Sequence, residues 1–163
     1  MRSASAGGWL EVFEPATGQA YASCPDGTAD DVDAAVAAAL RVTDMAFLHY
    51  RSNAFQLHRA RLAPGETATW DMLLSFAASS EDPISGGRHK VIGSKQINIP
   101  PQTSTIASHL PKAVGAAFSI GIARRLGMTG LPLPDDAVVL TSFGDASANH
   151  STAQGAFNTA GWA

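Results

Sequence analysis

Residues 137–143, AVVLTSF, narrow the choice of fold more than any other stretch of the chain. The run is short, apolar and β-branched, as expected of a strand buried on both faces. Such strands belong to parallel sheets covered by helices. Gly144 and Asp145 follow at once, then small residues and the segment ANHSTAQGAFNTAGWA, which reads as a helix. This order suits an α/β layer, in which ligands sit beyond the carboxyl ends of the strands.

The elements before that strand agree. IASHLPKAVGAAFSIGIARRLG reads as the best helix, with Pro111 in its first turn, Gly127 ending it, and Arg124 and Arg125 at its negative dipole end. Its small residues Ala113, Gly115, Ala116 and Ala117 permit close packing against a neighbour. Residues 51–61 predict a helix carrying Phe55 and Leu57. Thr69 is placed to cap another, with Met72, Leu73 and Phe76 spaced towards a core. Between these helices and the long one, SSEDPISGGRHKVIGSKQINIPPQTST predicts a long irregular loop, of the kind that is functional or mobile.

The chain changes character near residue 41. WLEVFEPATGQAYAS alternates apolar and polar residues around a PATG turn, where Pro15 suits the entry and Gly18 permits positive φ, so residues 9–23 predict a hairpin. A helix follows: Thr28 is its N-cap, Asp30 and Asp31 lie near the positive dipole end, and Val32, Val36 and Leu40 form one apolar stripe.

Composition excludes several classes. A net charge of −3 argues against broad binding to nucleic acid or acidic membranes, and no apolar run has the length of a membrane span. The lone Cys24 rules out an internal disulfide. In the connection between hairpin and helix it reads as a small semi-buried residue rather than a nucleophile. The N-terminus lacks a secretory h-region, and a cytoplasmic protein fits these features.

Three segments can carry chemistry. Asp145, at the tip of a buried strand, can bind Mg²⁺, which takes hard oxygen ligands. It equally serves as an N-cap. Tyr50 and Arg51 offer a hydroxyl and a planar donor fork to phosphate oxygens, or form an ordinary surface pair. In PQTSTIASH, Ser104 can donate to a polar ligand group and Ile106 can supply an apolar contact, or the hydroxyls simply lead into a helix. His49, His58, His89, His109 and His150 form no HxH or HExxH metal pattern. His89, beside Arg88 and Lys90, can handle a proton or a carboxylate, and also reads as a solvated loop residue.

Two resemblances add to this reading. Residues 9–41, with their PATG turn and ADDVDAAVAAA helix, resemble the N-terminal segment of the NAD-dependent aldehyde dehydrogenases. That segment carries no chemistry, and the family's catalytic Cys region and a dinucleotide loop are not in these residues. The combination DMAFLHYRSNAF, DPISGGRHK, PQTSTIASHLPKAVGAA and SFGDASANHSTAQGAFNTA, over residues 42–163, resembles the thiamine-diphosphate-dependent decarboxylating component of the 2-oxo acid dehydrogenases. The likeness is to its alpha-type region, in relatives acting on branched-chain 2-oxo acids or pyruvate.

This second resemblance implies a partial thiamine-diphosphate-binding α/β fold, a parallel sheet with flanking helices, preceded by the hairpin and helix. It implies that Tyr50 and Arg51 grip the cofactor diphosphate, that Ser104, Ile106 and Gly144 touch the cofactor, and that Asp145 binds Mg²⁺. Ala146 stands where the family motif has Gly, and Asn158 matches an Asn of the motif helix. The implied activity is oxidative decarboxylation of a 2-oxo acid with acyl transfer to a lipoyl group. The implied partners are a beta-type subunit or region and a lipoyl acyltransferase.

The family's motif closes with an Asn pair on a later strand, and relatives use a further His beyond it. The chain stops at Ala163, before either. The expectation is therefore an incomplete cradle in a truncated or rearranged chain, with open edges on strand 137–142 and a partly exposed long helix. Two alternatives stand beside it: a non-catalytic fragment or subunit completed by a partner, and a fragment related to aldehyde dehydrogenase.

Overall fold

A computed structural model describes residues 8–13, 17–25, 28–63, 65, 67–88, 91–130 and 133–162. In chain order the elements are β1 (Trp9–Phe13), β2 (Ala20–Pro25), α1 (Ala29–Ala39), β3 (Met45–Phe47), α2 (Asn53–Ala60), α3 (Ala68–Phe76), β4 (Ile92–Ser94), β5 (Ile99–Gln102), α4 (Leu110–Arg125), β6 (Val139–Thr141) and α5 (Ser151–Trp162). A short 3₁₀ helix, Asp145–Asn149, lies between β6 and α5.

Strands β1 and β2 form the expected antiparallel hairpin, with Gly18 at φ +67° in its connection. Pro15 lies outside the described residues. Cys24 is part of β2, opposite Leu10, rather than in the connection to the helix, because the ladder runs on to pair Trp9 with Pro25. Thr28 caps α1 as expected: its hydroxyl accepts from the Asp31 N–H while the Asp31 carboxylate accepts from the Thr28 N–H, a reciprocal capping box. The buried stripe differs from the one expected. Val32 is exposed, whereas Ala37 is wholly buried and Val36 and Leu40 pack beside it. The short alanine allows α1 to approach the layer closely.

The run around Met45 forms β3, which pairs in parallel with β6: Met45 lies opposite Val139, Ala46 opposite Leu140 and Phe47 opposite Thr141. The Ala46 N–H turns the other way and donates to the Asn98 carbonyl at 3.1 Å. The parallel pair flanked by helices is the α/β arrangement that the apolar run predicts. Among the described residues, β6 has no strand partner on its far edge.

The long segment after α3 is more ordered than its composition predicts. It contains an antiparallel pair, β4 and β5, with Ile92 opposite Gln102. A Cβ on Gly93 would lie 2.9 Å from the Pro101 Cα, so only glycine lets the two backbones approach this closely.

Helix α3 starts at Ala68, after Thr67 rather than Thr69, because the Thr67 carbonyl already accepts from the Asp71 N–H. Its core-facing residue is Ala68. Leu73 and Phe76 are exposed and Met72 is half-buried, so the apolar spacing there does not face the core. Helix α4 matches its signals: Pro111 stands in the first turn, Gly127 follows the end at φ +61°, and Arg124 and Arg125 fill the last turn. Gly115, Ala117 and Phe118 are exposed on it.

Two cores result. The first joins Ala37, Ala46, Leu48, Phe55, Ala68, Ile97 and Ile99. The second, smaller one joins Ala107 and Leu110 at the start of α4 to Ala153 and Ala156 of α5. No helix among the described residues is long and apolar enough to cross a membrane.

Candidate functional site

Parallel pairing makes β3 and β6 leave the sheet at the same edge. The chain emerging from β3 carries His49, Tyr50 and Arg51. The chain emerging from β6 carries Ser142, Phe143, Gly144 and Asp145. Two segments almost a hundred positions apart in sequence are thereby set side by side.

Hydrogen bonds hold them there. The Ser142 N–H donates to the Phe47 carbonyl at 3.1 Å and extends the strand pairing. The Ser142 hydroxyl accepts from the His49 N–H at 2.8 Å and shares a 3.1 Å bond with the Ser52 hydroxyl. From the other side, His109 Nε2 donates to the Ser142 carbonyl at 2.7 Å. His109 is the residue just before α4, so this bond ties the start of the long helix to the end of β6. Ser142 is thus the hub of the site, met by β3, α2 and α4.

Both histidines are held below the ordinary imidazole range. Burial pushes His109 below the ordinary imidazole range. Its bond to the Ser142 carbonyl works the other way, and the Lys112 charge adds to the lowering. Its Nε2 faces a carbonyl and must carry the proton. Nδ1 is then a bare acceptor, buried with no hydrogen-bond partner among the described residues. His49 is also lowered, by burial, then by the Arg51 charge and by His109. Its Nδ1 accepts from the Arg51 N–H at 3.3 Å, which assigns the proton of the neutral ring to Nε2. The His49 ring leans on Tyr50, centroids 4.1 Å apart, and the Arg51 guanidinium lies 5.1 Å from the Tyr50 ring centre.

Gly144 stands in the middle. Its φ of −75° and ψ of 151° are open to any residue, so its backbone does not require glycine. Nor does packing require it. A Cβ there would meet His49 Nε2 at 3.7 Å, Ser147 Oγ at 3.7 Å and Arg51 Nη2 at 3.9 Å, all ordinary contact distances. The missing side chain leaves a small space bounded by three polar tips. Asp145 follows, exposed, and opens the 3₁₀ helix, whose Ser147 N–H donates back to the Gly144 carbonyl at 2.9 Å.

Of the residues singled out in the sequence, the structure brings Tyr50 and Arg51 to Gly144 and Asp145. Ser104 and Ile106 are exposed in the loop that ends at His109. Beside them Ala107 is buried with φ +60°, a left-handed conformation that alanine rarely adopts and that fixes the path of this loop. Asn158 is exposed on α5. His89 lies outside the described residues. Among the described residues no three His, Cys, Asp or Glu side chains converge on one point.

Sequence reading overlooked His49, Ser142, His109 and Ser147. The position of His49, directly before Tyr50-Arg51 at the end of an apolar run, was an available signal, as was that of His109 ahead of the helix-starting Leu110-Pro111. For Ser142 and Ser147 no local signal exists, since their roles depend on which strand lies alongside.

No curated protein matches the chain. The family model described as the dehydrogenase E1 component matches residues 25–163, which takes in α1 and everything after it. The chain therefore belongs to the dehydrogenase E1 component family, the thiamine-diphosphate-dependent components of the 2-oxo acid dehydrogenases.

Proposed function

We propose that this chain is the alpha-type part of a 2-oxo acid dehydrogenase E1 component and holds the diphosphate end of thiamine diphosphate at the β3 and β6 strand ends. The observation that carries the reading is the side-by-side exit of Tyr50-Arg51 and Gly144-Asp145, with Arg51 Nη2 beside the open face of Gly144. This place suits a phosphate-bearing group. It offers a guanidinium fork and a space that a Cβ would fill.

Within this reading Arg51 pairs with diphosphate oxygens, and Tyr50, wedged against His49 and Arg51, keeps the guanidinium in place. Asp145 would supply one hard oxygen to Mg²⁺, an ion that takes oxygen ligands. Ser104 and Ile106 approach the cofactor from the loop ahead of α4. When bound, thiamine diphosphate supplies the electron sink that allows a 2-oxo acid of the branched-chain or pyruvate type to lose CO₂. The residues of this chain do the holding and orienting.

A lipoyl acyltransferase would receive the acyl group, its lipoyl disulfide taking up the two electrons and becoming a dithiol, and a beta-type subunit would supply the rest of the site. A cytoplasmic location belongs to the same reading. Residues 1–41 are read as a separate segment joined to the cofactor-binding part, with α1 contributing Ala37 to the first core.

Calorimetric titration of the full chain with thiamine diphosphate and Mg²⁺, beside Arg51→Ala and Asp145→Ala, tests the proposal. Saturable binding should be weakened about tenfold or more by Arg51→Ala and should lose its Mg²⁺ dependence in Asp145→Ala. Absence of binding in the folded wild-type chain, or binding indifferent to both substitutions, overturns it.

A further inference from the structure

The space over Gly144 has more walls than the Tyr-Arg pair accounts for. Its three nearest polar atoms come from two different strand ends: His49 Nε2 and Arg51 Nη2 after β3, and Ser147 Oγ after β6. Two of the three, His49 and Ser147, have no part in the reading above. Both are held rigidly. The His49 backbone N–H is fixed on Ser142, and its ring is fixed by the Arg51 N–H on Nδ1 and by contact with Tyr50. Ser147 is buried, and its backbone is tied to Gly144. An imidazole whose Nδ1 accepts and whose Nε2 therefore carries the proton, and a hydroxyl, each 3.7 Å from where a Gly144 Cβ would stand, make a preorganised pair of donors.

We infer that His49 and Ser147 are two further binding residues, donating from Nε2 and Oγ to the oxygens of the anion that Arg51 pairs with, and that Gly144 lacks a side chain to keep that place open. The inference rests on the diphosphate reading above and deepens it. Arg51 supplies charge from the solvent side, where it is exposed. His49 and Ser147 supply direction from the protein side, where they are half-buried and buried. The division matters because a lone exposed arginine holds any anion loosely, whereas fixed donors select for an oxygen at one position.

The test compares thiamine diphosphate, thiamine monophosphate and thiamine, each with Mg²⁺, on the full chain at neutral pH. His49→Phe keeps the ring contact with Tyr50 and removes the donor. Ser147→Ala removes the hydroxyl. Gly144→Ala removes no donor and, with its backbone angles and clearances of 3.7 Å or more, should leave the urea midpoint unchanged while its methyl occupies the anion's place. His49→Phe should weaken thiamine diphosphate about ten- to hundredfold and leave thiamine unchanged, as expected for loss of a hydrogen bond to a charged group. Gly144→Ala should weaken the phosphorylated ligands by at least a similar factor.

If His49→Phe unfolds, Gly144→Ala and Ser147→Ala decide. Wild-type affinity in the folded variants, with Arg51→Ala still losing it, overturns this inference and leaves the diphosphate reading standing. A wild-type chain that binds thiamine diphosphate no better than thiamine overturns both.

Discussion

Of the three two-stranded sheets among the described residues, two are of similar size and built by opposite means. The β4–β5 pair is local: a turn of a few residues closes it, and Gly93 lets its backbones touch. The β3–β6 pair joins segments on either side of three helices, with three residues from each strand. A pair so short and so distant in sequence gains little from its own ladder and must meet the cost of closing a long loop. Side chains reinforce it at both ends.

At the entry end the buried Asp44 accepts from the Val138 N–H at 2.9 Å and from the Arg41 N–H at 2.8 Å, and Arg41 bridges to Asp136 at 3.0 Å. Burial alone would raise Asp44, but these donors outweigh it and hold the carboxyl below its usual range. At the exit end Ser142 gathers His49, Ser52 and His109. The exit-end reinforcement is also the candidate site. In the distant pair, the residues that brace the pairing therefore also line the candidate site. In the local pair they do not.

The comparison breaks most severely at Arg59, which joins the two sheets. This arginine is wholly buried in α2 and donates to the carbonyls of Asp44 at 2.8 Å, Ile97 at 3.0 Å and Arg41 at 3.1 Å. Arg59→Leu removes a donor from all three carbonyls and leaves those of Asp44 and Ile97 without one, since the Arg41 carbonyl keeps the Asp44 N–H; it should reduce stability by about 3 kcal/mol or more, measured by urea unfolding. A loss below about 1 kcal/mol would mean that the sheets do not depend on one another through it.

Gly93→Ala strikes the local pair alone. Its Cβ would sit 2.9 Å from backbone, so a loss of about 1–3 kcal/mol is expected. Binding of thiamine diphosphate by the chain that remains folded should be unchanged. A parallel loss of binding would show that the hairpin shapes the strand ends.

Ser142→Ala is the counterpart in the distant pair. It should cost about 1 kcal/mol, a smaller effect than that of Gly93→Ala, yet weaken thiamine diphosphate binding severalfold, because the His49 N–H loses its acceptor. Equal stability with full affinity would separate the hub from the site.

The smallest effect is that of pH. His49 and His109 are both held below the unfolded imidazole value of about 6.5. Between that value and their folded ones, the unfolded chain binds more protons than the folded chain, so stability rises with pH. Their contribution is complete above about pH 7 and is lost as the pH falls through 6.5 and below. The urea midpoint should drop between neutral and mildly acidic pH, and His109→Gln should flatten that dependence. An unchanged slope in the variant would show that His109 is not the group responsible.

What a window of a few residues can encode was legible in the sequence. The Thr28 N-cap, Gly18 in its turn, Pro111 and Gly127 at the two ends of α4, and the β-branched run that becomes β6 each depend on neighbours within one or two turns. The family could be read as well, because its motifs keep their order along the chain and the family match covers them. The sequence did not disclose which faces are buried. Leu73 and Phe76 have core spacing and lie exposed, while the polar Arg59 and His109 are almost wholly enclosed. Periodicity marks a face but not whether another element covers it. The site was half legible for the same reason: Tyr50, Arg51, Gly144 and Asp145 stand in motifs, whereas His49, Ser142 and Ser147 acquire their places only when β3 lies against β6. The sequence by itself determined the hairpin, helices α1, α2 and α4, the strand β6 and the family, but not β3, the β4–β5 pair or the start of α3. Tertiary structure alone decided that two strand ends nearly a hundred residues apart share one edge, because parallel pairing across intervening helices is a non-local choice that no short window of residues encodes.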